Sequence, residues 1–191
     1  MNWKKVLAIF FIFFPLSLFS QGVDNLSQTN VGFTGGIGIP ASDHLKNNYG
    51  ISFNAGFHHE WILGRPTTMG WEFNFTHFAP KRVEFDPIQG GGASGYIKIQ
   101  NNLLKQNDIQ PFAKLGTGIG FLVDGDLGGH PKGIPLAVLF SAGGGANYLL
   151  SHGNKLFAEA NYRYYMGGHQ TRRYAAISFN IGISFKLPYD K

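Results

Sequence analysis

The chain has 191 residues, 43% of them hydrophobic and 15% aromatic, with 27 glycines, no cysteine and a formal charge of +5. Without cysteine there are no disulfides, no thiolate metal sites and no acylated N-terminal cysteine. The charge falls to +3 once Lys4 and Lys5 are set aside with the leader described next, too modest a value to point to nucleic acid.

Lys4 and Lys5 precede the apolar run Val6 to Phe14, which Pro15 and the polar exit Ser20, Gln21 and Gly22 follow. This order is that of a secretory signal peptide over residues 1–20. The run is shorter than the roughly 20 residues a membrane-spanning helix needs. Residues 21–29 read as a periplasmic lead-in, 30–187 as one all-β domain, and 188–191 as a tail. Hydrophobic residues in the domain are dispersed in alternation, and mean hydropathy is near zero.

Eight alternating segments follow in order: 30–39, 50–63, 68–79, 94–104, 110–123, 136–150, 155–166 and 174–187. Most exceed the roughly five or six residues of a globular strand and suit the roughly 9 to 11 of a tilted bilayer-spanning one. In the last, Ile177, Phe179, Ile181, Ile183, Phe185 and Leu187 alternate with Ser178, Asn180, Gly182, Ser184 and Lys186. Successive strand side chains point to opposite faces, so one face is apolar and the other polar. Connections after odd segments (41–49, 80–93, 124–135, 167–173) are longer than those after even ones (64–67, 105–109, 151–154). An up-and-down meander gathers the short turns at one end, periplasmic in outer-membrane barrels, and the long loops at the other. Every proline beyond Pro15 falls at a segment end or in a connection, as a closed ladder requires. Trp61, Trp71, Tyr148 and Phe185 lie toward the short-turn end, and Tyr49, Phe78, Tyr96, Tyr164 and Tyr174 toward the long-loop end. These two levels suit interfacial aromatic girdles.

The stretches VGFTGGIGIP (31–40), GISFNAGFHHEW (50–61), QPFAKLGTGIGF (110–121) and LFAEANYRYYMG (156–167), with the terminal strand, make the chain resemble small eight-stranded outer-membrane barrels. The likeness is to the OmpA, OmpX and Ail type and to barrel proteins abundant in Bacteroidota. It implies an antiparallel up-and-down transmembrane barrel, residence in the outer membrane among lipids and lipopolysaccharide, and insertion by the barrel-assembly machinery. That machinery reads a terminal aromatic; here Phe185 is followed by Lys186 to Lys191, so the signal is slightly internal.

With the apolar parity facing lipid, the lumen receives Thr34, Asn54, His58, Glu60, Glu72, Asn74, Thr76, Lys98, Gln100, Lys114, Glu159, Asn161, Arg163, Ser178, Asn180 and Lys186. Eight strands enclose just enough room for side chains, and glycines on the same face make space for long charged ones. Glu72 and Glu159 are expected to pair with Lys114 and Arg163 at overlapping heights and plug the lumen, because a buried charge needs a partner. The glycine runs 90–92 and 143–145 lack the lysine and the strand-to-helix setting of a phosphate loop, and read as a flexible loop and as lumen-facing strand positions.

Seven histidines are scattered without ligand spacing, so no metal site and no cofactor is expected. PagL-type lipid A deacylases share the barrel and carry His-x-Ser-Asn. Here His169-Gln170-Thr171-Arg172 departs from that pattern, and no glutamate follows to orient a base. The remaining alternatives are a narrow pore and a soluble lipocalin-like lipid-binding barrel with its apolar parity inward. Lys81, Arg82, Lys132, Arg172 and Arg173 in the long loops suit charge-assisted contacts with lipopolysaccharide phosphates. The expectation is a monomeric, non-enzymatic envelope barrel.

Overall fold

A computed structural model describes residues 29–64, 66–84, 86–100, 108–124, 136–167 and 174–187. The expected signal peptide, most of the expected lead-in, the expected tail and residues 101–104 of the fourth expected segment lie outside them. Eight strands close into one barrel in sequence order, every neighbouring pair antiparallel. They are β1 (Thr29–Pro40), β2 (Tyr49–Gly64), β3 (Thr67–Pro80), β4 (Ile88–Gln100), β5 (Ile109–Asp124), β6 (Leu136–Leu149), β7 (Lys155–Met166) and β8 (Tyr174–Lys186). The seam pairs the first strand with the last, Val31 opposite Phe185 and Ile39 opposite Ile177. Closure leaves no edge strand with unpaired N–H and C=O groups, the condition for crossing hydrocarbon with strands.

Alternation decides the faces. Phe33, Leu115 and Ile181 stand 56%, 69% and 72% exposed, and Phe53, Phe73, Ile97, Ile119, Phe140 and Phe179 share that outer wall. The inward parity carries Asn54, Glu72, Lys114, Glu159 and Asn180, all buried. A continuous apolar exterior around a polar, filled interior inverts a water-soluble protein and is the arrangement of a transmembrane barrel. Near the short turns the outer wall carries a run of ring contacts: His59 meets Trp61 edge-on at 4.4 Å and Trp71 meets Phe73 at 5.1 Å.

Three local expectations change. Gly90 to Gly92 are not a flexible loop but part of β4, paired with Thr76, Phe75 and Asn74 on β3 and with Leu122, Phe121 and Gly120 on β5. A Cβ on Gly90 would come within 2.7 Å of the Leu122 side chain, and one on Gly91 within 2.6 Å of the Phe121 ring. Large β5 side chains thus cover the bare backbone and supply the packing that glycine lacks. The connection after β3 accordingly shrinks to 81–87.

Three of the expected outer-girdle aromatics also face inward. Phe78 is 2% exposed, Tyr96 4% and Tyr49 5%. Phe78 shares its parity with Glu72 and Thr76, and Tyr96 with Lys98, so strand geometry places them in the lumen whatever their preference for an interface.

The connection 41–48 contains a short helix, α1 (Asp43–Asn48), lying over the barrel mouth at the long-loop end. The Ala41 and Ser42 amides both donate to the Ala175 carbonyl, and the Lys81 amide donates to the Asn48 carbonyl. Leu45 is thereby held, 1% exposed, on an apolar cluster of Tyr49, Phe78, Ile88, Leu122, Leu139 and Tyr165. At the other end the turn after β6 uses His152 at φ 62° and Gly153 at φ 80°, closed by the Leu150 amide donating to the Asn154 carbonyl at 2.8 Å. A Cβ on Gly153 would come within 2.8 Å of Lys186, whose side chain lies exposed at that rim and not in the lumen.

Candidate functional site

Below the apolar cluster the lumen is filled by ionised groups in two sets, each drawn from alternate strands. Alternate-strand layering is the usual way a narrow barrel fills, because side chains from adjacent strands crowd one another while those two strands apart meet across the axis. The first set comes from odd strands. Lys114 on β5 donates to Glu72 Oε2 on β3 and to Glu159 Oε2 on β7, each at 2.9 Å. Ser94 Oγ donates to Glu72 Oε1 at 3.3 Å, and Asn180 Nδ2 to Glu159 Oε1 at 3.2 Å. The Lys114 ammonium also stands 5.1 Å from the centre of the Tyr96 ring.

The second set comes largely from even strands. Lys98 on β4 forms an ion pair with Glu60 on β2, and the Tyr96 hydroxyl donates to the same Glu60 oxygen at 2.9 Å. Asn147 Nδ2 on β6 donates to Gln100 Oε1 at 2.9 Å, and Gln100 Nε2 donates to Thr68 Oγ1 at 2.7 Å. His58 meets the Phe157 ring edge-on at 5.3 Å. Glycines open the space: a Cβ on Gly118 would lie 2.0 Å from the Ala93 carbonyl, and one on Gly145 2.0 Å from the Ala158 carbonyl.

Of the sequence-derived lumen residues, Glu72, Lys114 and Glu159 come together. Arg163 is buried at 4% exposure but makes no ion pair or hydrogen bond among the described residues, so it does not join either carboxylate directly. The Glu60–Lys98–Tyr96 group was legible only in part. Parity places Glu60 and Lys98 inward, but their meeting across an intervening strand depends on barrel tilt and stagger, which no local pattern encodes. Of the basic loop residues, Lys81 and Arg82 are exposed at the long-loop rim. The Lys81 ammonium is engaged by the Lys46 carbonyl. Lys132, Arg172 and Arg173 lie outside the described residues, as does the His169–Thr171 stretch.

Chemically, the lumen pairs Glu60 with Lys98 and both Glu72 and Glu159 with Lys114, while buried Arg163 and Lys155 have no ion-pair partner among the described residues. Glu72, Lys114, Glu159 and Arg163 line a cavity of about 20 Å³, room for about one or two waters. Among the described residues no group of three His, Cys, Asp or Glu side chains is placed to hold a metal ion.

No protein-family profile and no curated protein matches the chain. Solved structures do. Neisserial surface protein A aligns with a TM-score of 0.66 at 12% identity, over 83% of this chain and 97% of that one. OprG of Pseudomonas aeruginosa aligns at 0.54 and 11% identity, over 87% and 99%. Ail, the attachment invasion locus protein of Yersinia pestis, aligns at 0.53 and 11% identity, over 84% and 99%. The fold is that of the small eight-stranded outer-membrane barrels.

Proposed function

We propose that this chain is a monomeric, non-enzymatic outer-membrane protein whose lumen is plugged by its own side chains, and that it serves envelope integrity or surface interaction through its long-loop end. The observation that carries this reading is what occupies the lumen. Two sets of cross-lumen charge pairs occupy its polar part, and the apolar cluster under Leu45 lies toward the long-loop end. A continuous ion path needs a water column, which the paired charges and the apolar layer oppose.

Planar-bilayer recording of the purified barrel tests it: no steady open-channel current is expected, and a steady current would overturn the plug. Membrane residence is tested by extraction, the protein requiring detergent and migrating differently on gels before and after heating. Recovery in the soluble fraction would refute it.

The surface role rests on the rim. Arg82 is exposed and has no partner among the described residues, so it suits charge-assisted hydrogen bonds to phosphate, while Lys81 is tied to α1. Exposed Lys46, Lys81 and Arg82 are matched by exposed Asp43, Glu84 and Asp86, so this sector recognises through placement and not through net charge. Replacing Arg82, Arg172 and Arg173 together by glutamine is expected to raise permeability to bulky antibiotics or lower adhesion. Unchanged values of both would remove the loop cations from the function.

A further inference from the structure

The odd-strand charge set does not close by itself. Glu72 and Glu159 share one lysine, which leaves a net charge of −1, and the buried Arg163 guanidinium nearby supplies the missing +1 without touching either carboxylate. Among the described residues, Arg163 Nε is buried without a protein partner, and so are both amide atoms of Asn74 on β3. Both residues line the same cavity as Glu72, Lys114 and Glu159. The great majority of buried polar atoms in native proteins are satisfied, so these atoms call for a partner.

The chemistry of the orphaned atoms selects the ligand. Arg163 Nε and Asn74 Nδ2 only donate, while Asn74 Oδ1 only accepts. An anion would satisfy the donors alone, leave Asn74 Oδ1 without a donor and stand beside two carboxylates. A cation would meet the guanidinium. Water both donates and accepts, carries no charge, and fits the available volume. We propose that this cavity is a fixed internal water site in which one or two waters, held by Arg163 Nε and the Asn74 amide, relay the arginine's charge to the Glu72–Lys114–Glu159 set. Arg163 and Asn74 are then positioning residues: they neutralise the plug through water, and the plug stays hydrated beneath a dry cap. This rests on the plugged-lumen reading.

The test is a crystal structure grown from a bromide salt at a resolution that shows water. Density within hydrogen-bond distance of Arg163 Nε and the Asn74 amide, with no bromide anomalous signal, is expected. A bromide peak there would make it an anion site, and a guanidinium lying directly on Glu72 or Glu159 over a collapsed cavity would abolish the site; either overturns the proposal. In lipid nanodiscs, the Arg163 Nε–H resonance is expected to show a cross-peak to long-lived water in the unaltered protein and to lose it in Asn74→Leu. Should that variant fail to fold, the unaltered protein still decides, since absence of the cross-peak there refutes the site. Conductance separates the two readings: a steady current defeats the plug, whereas a closed barrel with a dry cavity defeats only the water site.

Discussion

Replacing Lys114 by methionine keeps the length of the side chain and removes the charge that holds Glu72 and Glu159 together. Each contact is 2.9 Å long. At an effective dielectric near 20 each is worth about 6 kcal/mol of gross attraction, most of which is consumed by desolvating three ionised groups. Both carboxylate oxygens sit 2.9 Å from one nitrogen, so they lie at most about 5.8 Å apart and would repel by about 3 kcal/mol or more without it. The damage has a ceiling, because a carboxylate left unpaired can instead take up a proton, which at pH 7 costs an acid of ordinary strength about 3.7 kcal/mol. The expected loss is therefore about 3 to 4 kcal/mol, within the range for breaking other buried pairs. Equilibrium unfolding in lipid vesicles, followed by Trp61 and Trp71 fluorescence and by heat-modifiable gel migration, measures it. The double variant Lys114→Met, Glu159→Gln should recover much of the loss, since Glu72 then faces Arg163 alone. A loss under about 1 kcal/mol, the size of a surface pair, or no recovery in the double variant, would refute the reasoning.

Tyr96→Phe removes the hydroxyl that donates to buried Glu60, and the same unfolding assay should register a loss of about 1.5 to 3 kcal/mol, as for other hydrogen bonds to charged groups. Gly118→Val places a Cβ 2.0 Å from the Ala93 carbonyl and 2.5 Å from Ser94 Cα, backbone atoms that cannot move aside, so the heat-modifiable folded band should disappear. Ile181→Arg, at a 72% exposed position on β8, should lose about 2 to 4 kcal/mol in bilayers; no loss would mean that this face does not meet lipid. Leu45→Ser should release α1 from the mouth and speed protease cleavage within 41–48 on intact cells, with conductance still absent because the charge sets below remain in place. A current in that variant would mean that the cap alone closes the barrel.

Much of the architecture was legible because a barrel wall is written locally. A strand's side chains alternate with a period of two, so Ile177 to Phe185 and their counterparts announce two faces, and the inward list includes the charged groups found in the lumen except Lys155, which shares the parity of Glu159 and Arg163. Residue type misleads where it competes with that period. The preference of aromatics for interfaces points Phe78 and Tyr96 to a girdle, whereas their parity with Glu72 and Lys98 places them inside. Gly90 to Gly92 looked like a loop because glycine weakens a strand, and nothing in the run itself shows that Phe121 and Leu122 lie across it.

By itself, then, the sequence determined the number of strands, their order and which face of each is polar, because those follow from near-neighbour alternation. Tertiary structure alone decided which polar groups meet. Lys98 reaches Glu60, and Lys114 reaches Glu72 and Glu159, across intervening strands, while Arg163 stops short of either carboxylate. Those meetings depend on the tilt and stagger with which eight strands close, a property of the whole ring that no single segment contains.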